Sequence, residues 1–196
     1  EHGFTAIAPV DIMDEDGSIS LPFEKGENIK EDFVGSHFKN YDSYIILSHF
    51  KGHRMGGFGG AIKNMSIGIA SSKGKMWIHT AGLTSDTSEF SKVSKTQQDK
   101  FLESMAEAAG AVMSYLGDNI LYINVMNNLS VDCDCSSNPA APTMKDIGIL
   151  ASLDPVALDQ ACVDFIYKVH DGHDLIKRME EQHAIHTLEH AEKLGL

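Results

Sequence analysis

The chain has 196 residues, a mass of 21.4 kDa and a formal net charge of −12, from 28 acidic against 16 basic residues. This balance argues against sequence-independent binding to nucleic acid or to an anionic membrane surface, because both need a basic stripe. No apolar run approaches the ~18 residues of a membrane-spanning helix. Three cysteines are too few for a disulfide framework in a chain of this size, so we expect reduced thiols and a cytoplasmic location.

Strand and helix patterns alternate along the chain. Strands are predicted over residues 4–12 and 19–23, and continuous apolar runs at 44–47, 120–125 and 147–150 are typical of strands buried on both faces of a parallel sheet. Helical periodicity follows over 61–70, 96–117 and from 155 onward, and short helices end the chain. The order predicts one α/β domain over residues 1–196, with a three-layer, mostly parallel sheet and helices on both faces.

A glycine-rich segment follows the predicted strand that ends at Leu47. In an open α/β sheet, ligands bind where the carboxyl end of a strand meets a helix. The backbone amides around Gly57, Gly59 and Gly60 are therefore predicted to bind a cofactor or a small anionic ligand. The common phosphate-binding motifs do not fit, because Ile62 stands where a third glycine would be required. The alternative is a flexible loop beside a solvated lysine.

Three side chains near this loop carry reactive groups. Lys63 lies in the first turn of the predicted helix, where the helix dipole disfavours its cationic form and favours a nucleophilic or covalent role. His79 follows an apolar run and is either a metal ligand or a hydrogen-bonded histidine at a strand end. We predict that His53, Lys63 and His79 converge on one pocket, with His53 and Lys63 as catalytic groups.

The Cys133-Asp134-Cys135 segment is the second candidate site. In an extended chain both thiols point to the same side, which suits a soft metal ion or an iron–sulfur cluster. Like charge on Asp132 and Asp134 is expected to raise the pKa of the thiols. The alternative is a purely structural role, in which the two cysteines are a pair of small buried side chains. His183, His186 and His190 are also spaced for one helix face, but their acidic neighbours favour a solvated surface.

Five segments of the chain form a recognisable set. They are Ser48-His49-Phe50-Lys51-Gly52-His53, Gly56-Gly57-Phe58-Gly59-Gly60-Ala61-Ile62-Lys63-Asn64, Ile67-Gly68-Ile69-Ala70-Ser71, Asp132-Cys133-Asp134-Cys135 and Asp146-Ile147-Gly148-Ile149-Leu150-Ala151-Ser152-Leu153-Asp154-Pro155-Val156-Ala157-Leu158-Asp159-Gln160-Ala161. Together they resemble the domain-of-unknown-function 362 family, whose members are often labelled uncharacterised Fe–S center proteins. The resemblance runs from about Gly3 to Leu196 and implies a further N-terminal stretch, so that this chain would be the C-terminal part of a longer one. The ferredoxin-like cluster segment that many members carry is not in this sequence.

A local similarity to the lactate racemase family, which uses a nickel-pincer nucleotide, covers residues 53–79. The order of His53, Gly57-Phe58, Gly60, Lys63 and His79 is similar to that family's motif. The similarity implies that Lys63 holds the cofactor covalently, that His79 ligates nickel, and that His53 is an acid or base.

Three functions stay open from the sequence. The first is a metal- or cofactor-binding protein, an enzyme in one version, in which the glycine loop and Lys63 form a pocket for an anion or a cofactor. The second is an iron–sulfur or other metal redox module that uses Cys133 and Cys135. The third is a non-catalytic structural subunit.

Overall fold

The computed structural model describes residues 3–133 and 135–196, and within them short strands alternate with helices. The strands are β1 (Ser18–Pro22), β2 (Glu31–Gly35), β3 (Tyr44–His49), β4 (Lys51–His53), β5 (Gly57–Gly59), β6 (Ile120–Met126) and β7 (Gly148–Ser152). The α-helices are α1 (Ala61–Lys63), α2 (Ser72–His79), α3 (Gln98–Leu116), α4 (Pro155–Lys168), α5 (His173–Glu181) and α6 (His186–Leu194). A π-helical turn (Asn64–Gly68) continues α1, and 3-10 turns lie at Phe4–Ala6, Ser36–Asn40 and Thr87–Lys95. None of the described helices is both long and apolar enough to cross a membrane.

The central sheet has the strand order β3-β6-β7, and β1-β2 and β4-β5 form two-stranded ribbons. The fold is therefore α/β, as predicted, but the sheets are small and of mixed orientation instead of mostly parallel. Only β3 and β6 pair in parallel, whereas β7 runs antiparallel to β6. The described residues between β6 and β7 form no helix or strand. Without a crossover helix between them, the chain returns beside β6 in the opposite direction.

One face of the central sheet is open. Helices α1 and α4 pack on the other face, where Ile46 and Tyr122 are buried. On the open face Ile45, Leu47 and Ile149 are 65%, 63% and 69% exposed. The continuous apolar run at 44–47 led us to expect burial on both faces, and in the described part of the chain that expectation is wrong.

Two other local predictions are also wrong. The predicted strand over 4–12 is a 3-10 turn followed by irregular chain. His37 fixes this part of the chain, because its two ring nitrogens bond Asp11 and Asp16 at 2.7 Å each. The apolar run before His79 belongs to helix α2 and not to a strand. The side chain of Ser71 begins that helix by accepting a hydrogen bond from Gly74 N at 3.2 Å.

The histidines near the C-terminus pair with helix α3. The pairs are His183–Asp99 at 3.1 Å, His186–Glu103 at 3.1 Å and His190–Glu107 at 3.0 Å. His190 is only 3% exposed, so the prediction of a solvated surface fails there. Glu107 also accepts backbone N–H bonds from residues 27–29 and thereby joins three parts of the chain.

A buried carboxyl group on β2 makes stability depend on pH. Asp32 is fully buried, its Oδ1 accepts from Phe33 N at 2.8 Å, and its Oδ2 has no partner among the described residues. Burial raises the pKa of Asp32 from 3.8 to about 7, against the lowering effect of that one hydrogen bond. The native state therefore binds more protons than the unfolded state above pH ~4, and the free energy of unfolding falls as pH rises to ~7.

Replacing Asp32 with asparagine is expected to remove this pH dependence, which amounts to about 4 kcal/mol at most. Urea unfolding at pH ~5 and ~8 captures about 3 kcal/mol of it, and the exposed Asp42→Asn is the control that keeps the wild-type pH dependence. If the free energy of unfolding of Asp32→Asn changes with pH as much as that of the wild type, the pH dependence comes from another group.

Candidate metal centre

The ribbon β4–β5 places His53 next to the cysteine segment. Gly52 N donates to Ser130 O at 2.7 Å, and a Cβ atom at Gly52 would lie 2.1 Å from Val131 O. Only a residue without a side chain permits this approach of two backbones. The contact brings His53 beside residues that are 80 positions further along the chain.

A ring nitrogen of His53 and the sulfur atoms of Cys133 and Cys135 all lie within 4.8 Å of one another. Across a tetrahedral ion with bonds of 2.0–2.3 Å, ligand atoms are about 3.3–3.8 Å apart, so small adjustments would bring the three onto one metal. All three cysteines of the chain are free thiols. The cluster could therefore hold a metal ion.

The pKa values of the two thiols shift in opposite directions. The pKa of Cys135 is raised, as expected, but the Cys133 side chain and burial raise it and not an acidic neighbour. Burial opposes ionisation of Cys133, but the Cys135 side chain and N–H group and the ammonium groups of Lys51 and Lys63 outweigh it and lower the pKa. The N–H of Cys135 lies 3.4 Å from Cys133 Sγ. Asp132 is instead tied to Arg178, 3.3 Å away. For Cys133 the expectation is wrong, and Asp134 lies outside the described residues.

The ring of His53 is held neutral. Burial, and then the charge of Lys63, lowers the pKa of His53 to about 3. Its Nδ1 accepts from Gly56 N at 2.9 Å and from Met55 N at 3.3 Å. The neutral ring then carries its proton on Nε2 and its lone pair on Nδ1. A metal would therefore bind at Nδ1 in place of these two N–H groups, or at Nε2 once the ring proton has moved to Nδ1. We therefore expect the two thiolates to be the stronger ligands.

Lys63 is half-buried, and its ammonium group makes no hydrogen bond or ion pair with any described residue. Burial lowers the pKa of Lys63, with Lys51 and Lys75 adding to the effect and the thiols of Cys133 and Cys135 opposing it. The side chain lines a cavity of about 220 Å³ together with Gly59 and Gly60.

The backbone amides at the start of α1 bind an internal anion. Ala61 N and Ile62 N donate to the carboxylate of Asp159 at 2.8 and 2.9 Å, and Asn124 Nδ2 donates to it at 2.7 Å. A Cβ atom at Gly60 would lie 2.4 Å from Asp159 Oδ1. The sequence gives no sign of this role, because Asp159 belongs to α4 and lies about a hundred positions from the amides that it accepts from.

Packing also accounts for Gly57, which has a φ of +77° and where a Cβ atom would lie 2.4 Å from Ala184 Cβ. Gly59 has open space, since the nearest atom, Lys51 Nζ, would be 3.8 Å away. That these glycines bind a cofactor stays a prediction.

His79 lies at the end of α2, outside the cluster of His53 and the cysteines. Its Nδ1 donates to Lys75 O at 2.6 Å, and its ring stacks on Phe101. It lines a separate cavity of about 340 Å³. Met55 lines both this cavity and the one beside the cysteines. Burial lowers the pKa of His79, and the charge of Lys63 adds to this. The structure thus places His53, and not His79, beside the two thiols.

The family comparison covers most of the chain. A model described as "Domain of unknown function (DUF362)" matches residues 1–164. The chain belongs to the DUF362 family. No curated protein and no solved structure matches it. The suspected family is thereby confirmed, and the match includes His53, Cys133 and Cys135 of this DUF362 protein.

Proposed function

We propose that this DUF362 protein binds a single transition-metal ion through His53, Cys133 and Cys135. The observation that carries the proposal is the approach of these three ligand atoms to within 4.8 Å. Two thiolates and one imidazole form a donor set that suits a soft or borderline ion such as zinc. Three protein ligands leave a fourth position open to water or to another molecule, as in catalytic zinc sites.

A mononuclear ion fits these residues better than an iron–sulfur cluster. Such clusters are commonly held by four protein ligands, and only three ligand residues converge in the described part of the chain. In this proposal His53 is a ligand, although the sequence favoured a proton carrier. Lys63, near the thiols and without a partner among the described residues, is the remaining candidate for proton transfer.

Cobalt titration tests the metal site. We expect one Co²⁺ per chain, with a strong near-ultraviolet absorbance from thiolate-to-cobalt charge transfer. The Cys133→Ser/Cys135→Ser variant should lose this absorbance and bind at least about a hundredfold more weakly, and His53→Ala should show a smaller loss.

Cys162→Ala is the matched control, because this third thiol is buried on α4 away from the cluster. It should bind cobalt as the wild type does. Equal cobalt uptake by the double-serine variant, or no thiolate absorbance in the wild type, would contradict the proposal.

A further inference from the structure

The cluster opens onto a cavity of about 460 Å³. His53, Cys133 and Cys135 line it, together with Arg54 and Arg178. The volume is in the range of small-molecule sites. A molecule in this cavity would lie against the metal ligands themselves.

Arginine is rare in this chain and concentrated at this cavity. Of the 16 basic residues two are arginines, Arg54 and Arg178, and both line it. Arginine differs from lysine in its rigid fork of N–H donors, which binds two oxygens of one carboxylate or phosphate. In a chain of net charge −12, this placement favours a specific anion over a general attraction to anions.

Both arginines keep donors available. Arg178 Nη1 donates to Val131 O at 2.9 Å and to Asp132 Oδ1 at 3.3 Å, while its Nη2 and Nε groups have no partner among the described residues. Arg54 has neither a hydrogen bond nor an ion pair within the described chain. One edge of Arg178 therefore fixes the cysteine segment, and the rest of its guanidinium can bind a ligand.

We propose that the cavity binds a small oxyanion, a carboxylate or a phosphate, held by Arg54 and Arg178 with one oxygen at the open position of the metal. The inference rests on the proposed function. Two thiolates neutralise a divalent ion, and Asp132, which also lines the cavity, offsets the charge of Arg178. The remaining positive charge of the cavity lining is that of Arg54, and the free N–H groups of Arg178 add donors to it. An oxyanion is the ligand that both parts of the site can share.

The test uses the cobalt-loaded protein and two probes, acetate for carboxylates and sulfate as a tetrahedral analogue of phosphate. A saturable shift of the visible cobalt bands is expected with at least one of them, and the tighter one identifies the class. Arg54→Gln and Arg178→Gln should each weaken this binding about tenfold or more. Lys177→Gln is the control, because Lys177 lies next to Arg178 but pairs with Glu181 on the helix surface.

Cobalt bands that neither anion shifts, or that shift equally in Arg54→Gln, would overturn the inference and leave the metal site standing. Absence of the thiolate absorbance would instead overturn the proposed function and this inference with it. Arg54 is exposed, so its variant stays informative even if Arg178→Gln does not fold.

Discussion

Replacement of Asp159 with alanine is expected to lower the free energy of unfolding by about 3–5 kcal/mol. The change leaves three buried donors, Ala61 N, Ile62 N and Asn124 Nδ2, without their acceptor. Each such donor costs about 1–3 kcal/mol, and partial relaxation keeps the total below the sum. Urea unfolding, followed by circular dichroism, measures the loss.

Asp154→Ala is the matched control on the same helix. Asp154 caps α4 through one exposed bond, from Ala157 N at 2.8 Å, and its loss should cost about 1 kcal/mol. If Asp159→Ala costs no more than Asp154→Ala, then the amides at the start of α1 do not depend on the internal carboxylate.

Replacement of Gly52 with alanine is expected to weaken metal binding about a hundredfold or more, although Gly52 is not a ligand. The new Cβ would lie 2.1 Å from Val131 O and 2.4 Å from Val131 C, and both are backbone atoms. The segment that leads to Cys133 must therefore move away from His53. Metal–ligand distances tolerate only about 0.2 Å, so a shift of this kind separates the ligands. Cobalt titration of the folded variant measures the effect.

Gly59→Ala is the control, because Gly59 pairs with Lys51 on the same ribbon but has no atom within 3.4 Å of its added Cβ. It should bind cobalt as the wild type does. A loss of binding in Gly59→Ala with none in Gly52→Ala would favour the glycine loop as the binding element and contradict our assignment of the site.

The parts of the fold that the sequence predicted correctly are set by local rules. Apolar periodicity defines α3, and Asp154 followed by Pro155 marks the start of α4. The prediction that both faces of β3 are buried failed. An apolar run such as Tyr44 to Leu47 shows that a strand has side chains to bury, but it does not show whether another element covers them. The run before His79 suited a strand equally well, and the cap at Ser71 made it a helix.

The site was only partly predictable for the same reason. The spacing of Cys133 and Cys135 correctly indicated two neighbouring thiols, since that relation is local. The partnership of His53 with them depends on the close contact between Gly52 and Val131, which joins segments far apart in the chain. Likewise, nothing near Asp159 in sequence reveals that it accepts bonds from the start of α1.

The segment between β6 and β7 runs through 21 residues, 127–147, and its described part contains no helix or strand. Many bonds of its described side chains stay within the segment, such as Ser130 Oγ to Ala140 O at 2.7 Å, while Arg178 ties Asp132 to helix α5. An ion shared by His53 and Cys133 would act as a cross-link that closes a loop of 80 residues. A covalent link over such a length restricts the unfolded chain by about 4–5 kcal/mol. The metal would then be part of what keeps this irregular segment in place, and its release would loosen the same residues that bind it.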